Sequence, residues 1–146
     1  GDGIEVEIGF RTDAPMNDLT CWVFVKNHLG MNIFGAESDV NGERPVGRPV
    51  SSGVVRCRID ELPLVAGTYS LDLFLGSQNM NVDLVYDACR FEVHPADVFG
   101  TGRVPHPYSG SIFWPAVWSY SPEEESVRDG VRIGTGEPAA ADRPRR

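Results

Sequence analysis

Alternation of apolar and polar side chains is the dominant pattern along this chain. In "IEVEIGF" (4–10), Ile4, Val6, Ile8 and Phe10 share one side, with Glu5, Glu7 and Gly9 on the other. Period two marks a strand with one buried face. "TCWVFVKN" (20–27) predicts a second strand, "HLG" a tight turn ending at Gly30, and "MNIFGAES" a short hairpin partner. In "VVRCRIDEL" (54–62), Val55, Cys57 and Ile59 oppose Arg56, Arg58 and Asp60. In "LVAGTYSLDLFLG" (64–76), Tyr69, Leu71, Leu73 and Leu75 face inward; in "ACRFEVH" (88–94), Cys89, Phe91 and Val93 do. "GSIFWPAVWS" (110–119) is aromatic and strand-like, and it stands behind a Gly/Pro-rich spacer.

The segments between read as connections. "DAPMND" (13–18) has turn chemistry, with Pro15 flanked by Asp and Asn residues. Residues 39–53 hold three glycines and two prolines without periodicity, which predicts a mobile loop. "SQNMNVDLVYD" (77–87) reads as a polar connection, and the chain from Tyr120 onward as a polar, disordered tail. No repeat and no convincing helix is present. Short alternating strands separated by turns predict an all-β protein, an antiparallel sandwich.

Composition narrows the function. With 146 residues the chain can bury one core, and no run of 18 apolar residues exists to span a bilayer. The start has acidic residues where a secretory signal is basic, and it opens directly on a strand, as a piece of something longer would. A net charge of −8 argues against nucleic acid and against anionic lipid. Cys21, Cys57 and Cys89 form no CxxC pair, and each falls within a strand pattern. They read as small buried hydrophobes in a reducing compartment rather than a metal or redox site. His28, His94 and His106 lie in three separate segments without metal-ligand spacing. No P-loop, GxSxG or HExxH occurs, and the carboxylates fall on polar strand faces or in the run Glu123–Glu125. The expectation is a non-enzyme without cofactor or metal.

Gly67-x-Tyr69 at the entry of an inward-facing strand is the arrangement of a tyrosine corner. There the ring packs in the core of an immunoglobulin-like sandwich and the hydroxyl returns to nearby backbone. Leu71 holds the place where antibody domains carry a cysteine.

"GMNIFGAES", "VVRCRIDELPLVAGTYSLDLFLG" and "VYDACRFEVHPADVFGTGRVPHPYSGSIFWPAVW" resemble, in order and spacing, the C-terminal domain of Wzt-type ABC transporter ATPases. The resemblance runs from Gly3 to about Ser119, giving a domain over 1–119 and a tail over 120–146. It implies an immunoglobulin-like sandwich that dimerises by exchanging its last strand. It also implies a cytoplasmic carbohydrate-binding module, fused behind a nucleotide-binding domain and working with a membrane transporter subunit. Such a module recognises the modified non-reducing end of a lipid-linked O-antigen polysaccharide. The family's ATPase half has no counterpart in this chain, and its first strand is expected upstream of Gly1.

With that parity, strands 20–27, 69–75 and 88–94 are neighbours. Trp22, Phe24, Lys26, Asp72, Phe74 and Arg90, together with Glu92, then share the outer face. Stacking surface beside polar handles suits a glycan. The opposite parity would make Trp22 the core tryptophan common in such sandwiches. Trp114 and Trp118 are expected to cover a partner subunit's core, with sugar stacking second. A purely structural or protein-interaction sandwich stands as the alternative function.

Overall fold

The computed structural model describes residues 3–40, 48–77 and 80–120. Six strands follow in order: β1 (Ile4–Met16), β2 (Leu19–Asn27), β3 (Asn32–Glu37), β4 (Val50–Ile59), β5 (Gly67–Ser77) and β6 (Met80–Val93). A single 3-10 turn, Pro107–Ser109, completes the regular elements. β1 and β4 make a two-stranded sheet, and the second sheet has the order β3-β2-β5-β6. Every pairing is antiparallel.

The order β3-β2-β5-β6 with β1-β4 opposite corresponds to C′-C-F-G over B-E of a variable-type immunoglobulin sandwich. The protein is thus an immunoglobulin-like antiparallel β-sandwich. Its core lies between the sheets in two clusters. Met16, Leu19, Cys21, Val55 and Leu75 form one; Val23, Val25, Leu64, Tyr69 and Leu71 form the other. Burial along β2 alternates without a break, with Leu19, Cys21, Val23, Val25 and Asn27 inward.

Tyr69 closes the corner as its sequence position requires. Its ring is 4% exposed and stacks on Phe91 at 5.8 Å. Its hydroxyl lies 2.7 Å from the Val65 carbonyl and 3.1 Å from that of Ser111. With one proton to donate, it serves both acceptors only by sharing. Burial raises the phenol above its usual pKa of 10.

Several boundaries differ from the sequence pattern. β1 continues through "DAPMND" to Met16, and its ladder slips between Arg11 and Met16. Five steps on β1 there oppose two on β4, from Ser52 to Val50, so the slack accommodates Pro15, which has no N–H to give the ladder. β4 begins at Val50, inside the stretch expected as loop, because β1 offers it a partner; residues 41–47 of that stretch lie outside the described residues. The connection expected over 77–87 is mostly strand: from Met80 onward it pairs with β5 as β6. Pairing with β5 overrides its polar composition.

Cys21 is buried, Cys57 is half-buried and Cys89 is exposed, contrary to the expectation that all three are buried. Cys89 opposes the inward Leu71 across the β5–β6 ladder, yet it is exposed. Burial pushes the Cys21 thiol up to about 11, with a smaller contribution from Cys57.

The aromatic stretch 110–119 does not form a strand among the described residues. It makes one isolated bridge, Ile112 to Leu64, flanked by hydrogen bonds from Val65 N to Ser111 O and from Phe113 N to Pro63 O. Pro115 then withholds a donor, and no described edge pairs with the rest. Of the described residues, those up to Pro115 form one compact unit. The tail expected to be disordered lies, from residue 121, outside the described residues.

Candidate functional site on the outer sheet face

Strict alternation along β2 sends Trp22, Phe24 and Lys26 away from the core, because Cys21, Val23 and Val25 are buried in it. Trp22 is therefore not the core tryptophan. The register then assembles the face: Trp22 opposes Phe74, Phe24 opposes Asp72, and Lys26 opposes Ser70. Ser70 in turn opposes Arg90, and Thr68 opposes Glu92. All six sequence-predicted residues share this surface.

The three rings pack together. Phe24 stands edge-on to Phe74 at 5.2 Å and to Trp22 at 6.3 Å, while Trp22 and Phe74 are tilted by 37° at 5.8 Å. The glycine of β3 makes the room. A Cβ on Gly35 would lie 2.6 Å from two atoms of the Phe24 ring, so only a residue without one lets that ring settle over β3. Trp22 is fixed at its polar end, where Nε1 donates to Asp39 Oδ1 at 2.7 Å. The three rings are half-buried, supported from below and open above.

Beside the rings lies an ion network. Lys26 Nζ is 2.7 Å from Asp72 Oδ1 and 3.0 Å from Asp87 Oδ1, and it stands 6.0 Å from the centre of the Tyr86 ring. A bulge delivers Tyr86 and Asp87. Leu71 pairs with Cys89 and Leu73 with Val85, so Asp72 alone faces residues 86–88. Asp87 takes up a φ of 48°, a conformation that aspartate tolerates better than most residues. Its N–H donates to Asp72 Oδ1 at 2.8 Å, which ties the bulge to β5.

The side chains of Lys26 and Asp72 are only 11% and 8% exposed, so this pair is shielded, whereas Asp87 is half open to solvent. Hydrogen bonds to Asp72 and then to Asp87 raise the Lys26 ammonium above its usual 10.5. Hydrogen bonds from Lys26 and Ser70, and then the Lys26 charge, hold Asp87 below the usual 3.8. Next to the network a groove of about 260 Å³ is lined by Lys26, His28, Thr68, Ser70, Asp87 and Arg90.

Sequence reasoning missed Asp39, Tyr86, Asp87 and Gly35 here. The first three fall in stretches without periodicity. Gly35 was visible as a hairpin glycine, though nothing local said that a ring rests on it.

Packed rings and oriented polar groups thus share one face of the sheet. The family model of the Wzt C-terminal domain matches residues 1–104, and the chain belongs to that family. Among solved structures, a crystal structure of the C-terminal domain of wzt has the same fold. Its TM-score is 0.61 at 15% identity, over 82% of this chain and 69% of that one. No curated protein matches the sequence.

Proposed function

We propose that this domain binds carbohydrate, holding the non-reducing end of a lipid-linked O-antigen polysaccharide destined for export by an ABC transporter. The observation that carries the reading is the outer face of β2 and β5. There Trp22, Phe24 and Phe74 form a ring cluster against the Lys26–Asp72–Asp87 network. Sugar rings present C–H faces that stack on aromatic rings, and hydroxyls that hydrogen-bond to oriented carboxylates and ammonium groups. An apolar patch framed by polar groups on a domain surface is a binding surface. Family membership supplies the context of polysaccharide export.

In this reading the domain does no chemistry. Nucleotide hydrolysis belongs to a nucleotide-binding domain, passage across the membrane to a transporter subunit, and the module works at the cytoplasmic face of the membrane. The net charge of −8 gives neither nucleotides nor nucleic acids a cationic footprint. A homodimer formed by exchange of residues 110–119 is part of the proposal. Its support is that, among the described residues, this aromatic stretch makes one β-bridge while Trp114 is 77% exposed.

The test is a glycan microarray probed with the parent chain and with Trp22→Ala. Retention of polysaccharide chain ends by the parent, lost in the variant, is the expected result. Equal retention by both proteins moves the site elsewhere, and retention by neither removes carbohydrate binding as the function.

A further inference from the structure

We propose that the outer-face site takes an uncharged glycan end and discriminates against one carrying an anionic cap such as a phosphate monoester; this rests on the carbohydrate reading above. The reason is the balance of charge around the rings. Among the described residues, the register and the hydrogen bonds bring Glu37, Asp39, Asp72, Asp87 and Glu92 to this face. The cations there are Lys26 and Arg90.

Lys26 has little to offer an incoming anion. Its ammonium already contacts two carboxylates, which together outweigh its charge, and only 11% of the side chain is exposed. Arg90 is exposed, but it lies close enough to Asp87 to help hold that carboxylate ionised. At the other end of the ring cluster, Trp22 sits between two further carboxylates. Glu37 is its cross-strand partner and Asp39 accepts from its indole N–H. Both ends of the stacking surface are thus lined by groups that accept hydrogen bonds.

Carboxylates match ligands that donate hydrogen bonds, and a sugar hydroxyl is such a donor. A phosphate dianion offers only acceptors, and a face on which five carboxylates outnumber two cations repels it. An O-methyl or deoxy position, in contrast, adds apolar surface to lay against Trp22 and Phe74. The same surface that admits neutral ends therefore filters anionic ones.

The experiment measures affinity of the whole 146-residue chain for three immobilised oligosaccharides. They are identical except that the terminal hexose is unmodified, an O-methyl ether or a phosphate monoester. The two neutral probes are expected to bind at least about fivefold tighter than the phosphate at low ionic strength, with the gap narrowing in high salt as screening requires. The double variant Glu37→Gln, Asp39→Asn keeps an acceptor for the Trp22 indole and removes two charges. It should bind the phosphate probe several-fold better and so narrow the gap between the phosphate and the neutral probes. Equal or tighter binding of the phosphate by the parent overturns the proposal alone, as does a gap that the double variant leaves unchanged. Failure to bind any of the three, with other glycans retained on the array, also overturns this proposal alone. An array empty of every glycan overturns the carbohydrate reading and this one with it.

Discussion

Two regions of the molecule are rich in aromatic residues, and they are built in opposite ways. Trp22, Phe24 and Phe74 stand on adjacent strands, with centroids 5.2–6.3 Å apart, over a core that fixes both backbones. Phe113 and Trp114 follow a single bridge; Phe113 finds Phe99 at 5.5 Å, while Trp114 is 77% exposed. The first region is organised before any ligand arrives. The second has an anchor at one end and unsatisfied apolar surface beyond it. Aromatic content does not separate the two regions; the supporting backbone does.

Breaking the anchor should give the largest effect. The Tyr69 hydroxyl is shared between Val65 and Ser111, so one side chain serves both the sandwich and the start of the second region. Tyr69→Ala should cost about 3–5 kcal/mol in a urea melt, as for other buried aromatic truncations. Tyr69→Phe keeps the ring and should cost about 1–2 kcal/mol, the price of a buried carbonyl left without its donor. A Phe variant as stable as the parent would show that the hydroxyl contributes nothing.

Next comes the second region itself. Removing everything from Gly110 onward should turn a dimer into a monomer or an aggregating product, read by sedimentation. An unchanged profile would dismiss strand exchange.

The first region responds in binding rather than stability. Trp22 is outward but half-buried against two rings, so Trp22→Ala should cost about 1 kcal/mol, a shift of a few degrees in melting temperature. It should weaken polysaccharide binding by about tenfold or more, about 1.4 kcal/mol. Gly35→Ala attacks the same surface from beneath by displacing Phe24, and should lose binding less steeply, by about threefold. A variant with full affinity would mean that Phe24 does not set the stacking surface.

The smallest effect is an expected constancy. Asp87 is depressed in the folded state, so its stabilisation is present above about pH 4 and lost as pH falls through the folded value. Lys26 is raised, so its share is present below about pH 10.5 and lost only as pH rises past its folded value. Binding should therefore be flat between about pH 5 and pH 9. A step within that window would point to a group outside the network.

The linear pattern alone was enough for the sandwich, for the facing of β5, and for the tyrosine corner. Each rests on a period of two or on a spacing within one strand, and burial of one face enforces such short-range patterns wherever the strand ends up. For Trp22 the pattern left two parities, and the core chose between them by filling with Cys21, Val23 and Val25. Strand lengths went further than composition suggested, because β1, β4 and β6 extend as far as a partner pairs with them. The ion network was decided by tertiary structure alone. Lys26, Asp72 and Asp87 meet because β2 lies beside β5 and a bulge swings the next strand back toward both. A bulge changes the count of residues between partners without marking the sequence, so Asp87 reads locally as one polar residue among others. The same holds for the stretch after Gly110. Its alternation fits a strand, but a strand exists only where another backbone meets its donors and acceptors, and among the described residues only the segment around Leu64 does so, through Pro63 O and Val65 N.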